Sequence, residues 1–280
     1  MAATHTLIFD SVAECLDDAN DGKVVNSANR AFYERIRDRP KDSWYGLRTP
    51  ADAAGIQQLI NNGWTEGAGK IQRQADSVEV TRLPSVRRRR VRGDNGDAID
   101  MDRVYAGALD TAWTRTAKAS SSNPPRVHVV VNLSANCNRS GDSLFWRGAA
   151  ALALSARLVE AGYVVQLSAV FSTTAYDESG ARALVSVVVK SYRAPLEINS
   201  MAATTALAGF MRAILFMQII KHCPNKVCDS LGYAAEVKPH EVPDCAANFT
   251  FVAHELWSAD DARKFIKSSL DTLTQQPQAA

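Results

Sequence analysis

The chain has 280 residues, of which 46% are apolar and 22% charged, and its net charge is +2. These are the values of an ordinary soluble globular protein, and so small a net charge does not by itself imply a polyanion partner. Five cysteines, few and odd in number, argue against a disulfide framework and favour a reducing compartment: Cys15, Cys137, Cys223, Cys228 and Cys245.

The first segment, residues 1–81, predicts a helical N-terminal region. It begins without a basic and apolar leader, so we expect no signal peptide and a cytoplasmic protein. Asn26 to Arg37 predicts a short charged helix. A second helix runs from Thr49 to Asn61, because Thr49 can accept hydrogen bonds from free backbone N–H groups and a proline follows it. Thr65 to Ala75 predicts a third helix.

Residues 82–125 read as a linker and one helix. The linker carries a basic block that is followed at once by four aspartates, Asp94, Asp97, Asp100 and Asp102. The helix is predicted over Met101 to Lys118, which contains an apolar stripe. A Ser-Ser-Ser-Asn-Pro-Pro run at residues 120–125 then marks the domain boundary.

Residues 126–274 predict an α/β domain with a mostly parallel sheet, one antiparallel hairpin strand and flanking helices, followed by a frayed tail at 275–280. Val127 to Leu133 is apolar and β-branched, as in a strand buried on both faces. The other strands are Tyr163 to Phe171, Ala183 to Tyr192 and Asn248 to His254, and the helices are Ser143 to Ala161, Asn199 to His222 and Ser258 to Leu273. Met201 to Ile220 is long and apolar, but Arg212 near its middle favours a buried helix over a membrane span.

This order of elements, with an apolar first strand that ends in a polar loop, resembles the von Willebrand factor A (vWA) fold. In that family the first strand delivers a D-x-S-x-S loop that often holds a divalent cation. Here Ser134 matches the middle position, while Asn132 and Asn136 replace the aspartate and the second serine. The resemblance therefore implies a weak Mg²⁺ or Mn²⁺ site, because an amide is a poorer ligand for a hard cation than a carboxylate.

The resemblance also suggests later ligands of that site. Thr173 or Thr174 follows the second strand, and His254-Glu255 follows the last one. The alternative is a loop whose Asn and Ser side chains bond their own backbone. Trp146 or Arg147, at the start of the following helix, are candidates for the rim of a cleft at the carboxyl ends of the strands.

The whole chain also resembles uncharacterised proteins of tailed bacteriophages and related mobile elements. Three segments carry this resemblance: GWTEG at residues 63–67, PSVRRRRV at 84–91 and SLFWRGAAALAL at 143–154. It implies an origin, with the host cytoplasm or the virion as location, and no particular activity.

Two other patterns give alternative sites. The first is the basic block, whose five guanidinium groups could neutralise phosphates of a nucleic acid, although the aspartates that follow could pair with it instead: Arg87, Arg88, Arg89, Arg90 and Arg92. The second pattern contains residue types that suit a structural zinc ion, but the spacing between its first two cysteines is longer than usual. The alternative is that these thiols are buried or unused in a loop. The four residues are Cys223, Cys228, His240 and Cys245.

Nothing in the sequence forms a recognisable catalytic constellation. Ser134 follows a strand, but no G-x-S-x-G surrounds it, and His254 is a base without an anchor. We therefore expect a non-enzymatic protein whose partner is another protein, with nucleic-acid binding and a structural zinc site as the alternatives. The residues do not fix the oligomeric state.

Overall fold

The fold is α/β, as predicted, with a mostly parallel six-stranded sheet flanked by helices and a small three-stranded antiparallel sheet. The computed structural model describes residues 4–24, 29–76, 88–94, 96, 98–118, 125–136, 138–175, 180–223, 233–243 and 247–275, with the backbone alone for residues 88–91 and 115–118.

The strands are β1 (Thr4–Phe9), β2 (Arg88–Gly93), β3 (Ala98–Ile99), β4 (Trp113–Lys118), β5 (Arg126–Asn132), β6 (Val164–Thr174), β7 (Arg182–Lys190), β8 (Tyr233–Ala234) and β9 (Phe249–Ala253). The helices are α1 (Val12–Asn20), α2 (Arg30–Asp38), α3 (Ala53–Asn62), α4 (Thr65–Asp76), α5 (Met101–Tyr105), α6 (Gly141–Glu160), α7 (Ile198–Ala206), α8 (Phe216–His222) and α9 (Ala259–Gln275). A π-helical segment, Phe210–Leu215, leads into α8.

The main sheet has the strand order β1-β7-β6-β5-β9, and β8 pairs with the end of β6. Strand β5 lies between two parallel neighbours, β6 and β9, whereas β7 runs antiparallel to β6. Val129 and Val131 of β5 point into the large core under the helices, and Val130 points into a smaller cluster on the opposite face. Burial on both faces explains why this strand is apolar throughout.

Helix α6 crosses the sheet and packs closely against α7. Its Gly148 has no room for a side chain, since a Cβ atom there would lie 2.1 Å from the carbonyl oxygen of Thr205. Small residues at this crossing allow the two backbones to approach each other. This contact fixes the position at which α6 begins, directly after the loop that follows β5.

The helix predicted from Asn199 to His222 is broken into two parts. Leu207 has an extended backbone after α7, and the two parts meet at 55°. In the described part of the chain no single helix is long and apolar enough to cross a membrane, and only this bent pair passes that test jointly. Every residue from 201 to 220 is buried, including Arg212.

Two further expectations are corrected by the structure. The N-terminal segment supplies β1, which pairs in parallel with β7 and extends the main sheet, so this region is not purely helical. The helix predicted from Met101 to Lys118 is wrong, because α5 ends at Tyr105 and Gly107 follows with φ of +75°. The chain then forms β4, the central strand of the small sheet.

Candidate functional site

Three of the residues proposed for a metal site lie together at the carboxyl ends of β5 and β6. Asn132 and Thr173 are fully buried, and Ser134 is nearly so. Asn136 lies further along the loop and is exposed. We call the cluster of Asn132, Ser134 and the side chains bonded to them the strand tip.

The polar atoms of the strand tip are engaged within the protein. The Oδ1 atom of Asn132 accepts a hydrogen bond from the backbone N–H of Ser134 at 2.9 Å, and its Nδ2 atom lies 3.0 Å from Nδ1 of His254. The Ser134 hydroxyl oxygen accepts from the backbone N–H of Ser172 at 2.7 Å, and Thr173 donates to the carbonyl of Tyr233 at 3.1 Å. Within the described ranges no three His, Cys, Asp or Glu side chains form a group that could hold a metal ion.

Arg147 fixes the strand tip from the side of α6. Its guanidinium group donates to the carbonyl oxygens of Asn132 at 2.8 Å and of Ser134 at 2.5 Å, while the side chain is only 1% exposed. Its Cζ atom lies 4.0 Å from the centre of the Trp257 ring. Burial lowers the pKa of Arg147 to about 10, which is still far above neutral pH. Arg147 therefore acts as a charged anchor, a role that its sequence position did not reveal.

His254 borders the strand tip where β9 ends. Burial, and then the charge of Arg147, hold its pKa below the ordinary value, so the imidazole is neutral at pH 7. With the Asn132 amide donating to Nδ1, the ring proton resides on Nε2. The next residue, Glu255, has φ of 51°, a left-handed conformation that is uncommon outside glycine.

An open cleft of about 770 Å³ begins at the other end of the same loop. It lies between α4, the start of α6, the bend after α7 and the first turns of α9, and its volume is typical of ligand-binding pockets. Trp64, Phe145 and Trp146 form its aromatic wall, in which Phe145 packs edge-on against both tryptophans. Trp146, which the sequence had suggested as a cleft residue, is partly exposed there.

The charged side chains of the cleft are mostly basic. Four cationic residues line it, Arg48, Lys70, Arg73 and Arg263, against two acidic residues, Glu66 and Asp142.

Glu66 is shared by two of these cations. It lies 3.1 Å from Lys70 and 3.5 Å from Arg48, and its hydrogen bond with Lys70 lowers the pKa of its carboxyl group. Arg263 pairs with Asp260 outside the cleft. Arg73 makes no ion pair with any described side chain, so the cleft offers positive charge to a ligand.

The other predicted sites are only partly covered by the structure. Of the zinc candidates, Cys223 is buried and His240 is exposed, while Cys228 and Cys245 lie outside the described residues. Arg87 also lies outside them, and Arg88, Arg89, Arg90 and Arg92 form most of β2. Arg92 is exposed and lies 3.7 Å from Asp100, one of the internal pairs that the sequence suggested. The register places positions 88, 90 and 92 opposite 118, 116 and 114 of β4.

Comparison with known proteins gives one family and no characterised relative. Neither the curated proteins nor the solved structures contain a match to this chain. The family model described as "Domain of unknown function (DUF7192)" matches residues 3–276, which include both sheets, the strand tip and the cleft. Since the match spans nearly the whole chain, the protein belongs to the DUF7192 family.

Proposed function

We propose that this protein is a non-enzymatic interaction protein that binds an acidic segment of a partner protein in the cleft. The observation that carries the proposal is the composition of the cleft wall, where four cations and two acidic residues surround a partly exposed tryptophan. A complementary segment would present carboxylates to the cations and an apolar side chain to Trp146.

The positions of the cations favour an extended ligand. Lys70 and Arg73 are three residues apart on α4, so they lie on the same side of that helix. Arg48 reaches the cleft from the loop before α3, and Arg263 reaches it from α9. Charges from three separate elements match several carboxylates along a peptide better than one compact anion. Such complementarity accelerates association and selects against basic partners.

The main sheet supports the vWA-like part of the proposal. Strands β7-β6-β5-β9 lie in that order, and β7 alone is antiparallel to its neighbour β6 within this set. Ligands of open α/β sheets bind outside the carboxyl ends of the strands, and the cleft begins where the loop after β5 enters α6. In this proposal the partner belongs to a phage or mobile-element assembly in the host cytoplasm.

A labelled peptide of alternating aspartate and glutamate with one central phenylalanine tests the proposal by fluorescence anisotropy. We expect the double variant Lys70→Glu, Arg73→Glu to weaken binding at least tenfold, because it reverses two charges of the cleft. Trp146→Ala should weaken binding of this peptide more than that of a peptide in which alanine replaces the phenylalanine.

The matched control is Lys264→Glu with Lys267→Glu, which changes the net charge equally at two exposed positions of α9 outside the cleft. Equal losses in the two double variants would reduce the interaction to general charge attraction and contradict the proposal. Binding of an oligonucleotide but not of the peptide would also contradict it.

The weak cation site is a separate part of the proposal, at Asn132, Ser134, Asn136 and Thr173. It does not depend on the cleft, because these side chains do not line it. A melting temperature that rises with millimolar Mg²⁺ or Mn²⁺, and does so less in Asn132→Ala, would support it. An unchanged melting temperature would reject the ion and leave the cleft proposal intact.

A further inference from the structure

The segment from β3 to the turn after α5 carries an unusual group of exposed apolar side chains. Ile99, Met101, Tyr105 and Leu109 are 45%, 47%, 83% and 62% exposed. They fall within eleven consecutive residues, and Met101 and Tyr105 lie one turn apart on the same side of α5. We call these four side chains the apolar patch. Isolated exposed apolar residues are normal on a protein surface, but a concentrated group marks a place of contact.

Most of the described side chains in the segment that carries the patch are exposed or half-buried. Among its described side chains between residues 88 and 118, Ala112 alone is buried. A three-stranded sheet needs a packed hydrophobic face to be stable, and here β3 contributes only two residues. Covering the apolar patch would add to the packing of this region.

The acidic and the basic residues near the patch lie in different segments of the chain. Asp94, Asp102 and Asp110 are exposed and make no ion pair with any side chain that the structure describes. Asp100 is already shared by Arg92 and Arg103, at 3.7 and 3.8 Å. The patch is thus bordered by uncompensated negative charge, and the arginine-rich strand β2 lies in the same small sheet.

We infer that a second copy of this chain covers the patch, in a twofold dimer built on the small sheet. A twofold axis brings the same surface of both copies together, so each basic strand meets the acidic border of the other copy. The two apolar patches then meet at the centre, where water is excluded. A second copy is favoured over a different protein because one sheet carries both complementary charges.

Sedimentation velocity of the full chain at micromolar concentration tests this inference. The wild-type protein is expected to sediment as a dimer, and Tyr105→Ser with Leu109→Ser as a monomer. The control is Ile8→Ser with Val159→Ser, because these side chains are also exposed and apolar but lie on β1 and α6. Far-ultraviolet circular dichroism verifies that each variant is folded.

Charge reversal gives a second test that does not depend on the apolar residues. Asp102→Arg with Asp110→Arg, and separately Arg90→Glu with Arg92→Glu, should each give monomers, since each variant makes the two charged segments alike in sign. Mixing the two variants should restore a dimer that contains one copy of each. A monomeric wild-type protein, a mixture that stays monomeric, or equal dissociation of the Ile8 and Val159 control would overturn the inference. A wild-type monomer that binds DNA through the same arginines would assign them to nucleic acid instead.

Discussion

Two sites adjoin the loop between β5 and α6, one at each end, and they differ in how far their polar side chains are bonded within the protein. At the strand tip, Asn132 and Ser134 are buried and bonded to backbone and side chains of the protein. In the cleft, Arg73 and Trp146 lie at a space of about 770 Å³. The polar side chains of the strand tip thus also stabilise the fold, while Arg73 of α4 faces the cleft without a carboxylate partner among the described side chains.

This difference indicates which property identifies a binding surface. Amide and hydroxyl side chains at a strand end satisfy buried backbone groups as readily as they bind an ion. Internal pairing does not explain Arg73, which has no carboxylate partner among the described side chains and lines the same cleft as a partly exposed tryptophan. We therefore expect substitutions at the strand tip to change stability and those in the cleft to change binding.

The largest expected effect is that of Arg147→Met at the strand tip. It removes the donor of two buried carbonyl groups, and leaving such acceptors unsatisfied costs about 2–4 kcal/mol of unfolding free energy in total. Peptide binding by the folded variant should stay within about twofold of wild type, which is near 0.4 kcal/mol. Urea unfolding and the anisotropy assay measure the two quantities on the same samples.

Arg147→Lys is the matched control for the charge. It keeps a cation but replaces the rigid guanidinium, whose Nη1 atom reaches both carbonyls, by an ammonium group on a flexible stem, so we expect an intermediate loss of stability. If Arg147→Met were as stable as wild type, the free-energy cost of burying the guanidinium would equal the gain from its hydrogen bonds. That result would refute the role of Arg147 as an anchor.

A smaller effect is expected for Ser134→Ala. The buried N–H of Ser172 loses its acceptor, at a cost of about 1–2 kcal/mol. Trp146→Ala is the comparison in the cleft, where partial exposure limits the loss of stability to about 1 kcal/mol while peptide binding falls. Urea midpoints that rank these two variants in the reverse order would contradict the distinction between a sealed tip and an open cleft.

Much of the main sheet could be predicted from the sequence, because burial leaves a clear mark on its strands. The apolar run around Val129 predicts a central strand, and the turn signal Asp177-Glu178-Ser179-Gly180 in the sequence predicts that the following strand is antiparallel. Strand β1 could not be found in this way, since an edge strand shows only part of an apolar pattern: Leu7 and Phe9 face the core, while Ile8 is 50% exposed.

The candidate site was only half predictable for a related reason. Residue type suggested Asn132 and Ser134, but whether a polar atom is free depends on distant residues such as Ser172 and His254. The cleft also depends on tertiary contacts, because α4, α6 and α9 supply its walls from separate parts of the chain. Trp146 alone carried a local signal, its place at the start of the helix that follows the first predicted strand.

The smallest expected effect concerns His254 and acid. Its pKa is lowered in the folded state by burial and by Arg147, while Glu255 and Glu236 oppose the shift, and Asn132 contacts the ring. The unfolded chain therefore binds a proton first, at the ordinary value of about 6.5, and the stabilisation present above that pH is lost as the pH falls through the folded pKa.

His254→Gln removes this titration, so its unfolding free energy should fall less than that of wild type between about pH 7 and pH 5. Carboxylates with lowered pKa values, such as those of Asp18 and Asp261, weaken both proteins equally in acid and cancel in the difference. Parallel losses in the two proteins would show that folding does not hinder proton binding at His254, which would contradict the lowering of its pKa by burial and by Arg147.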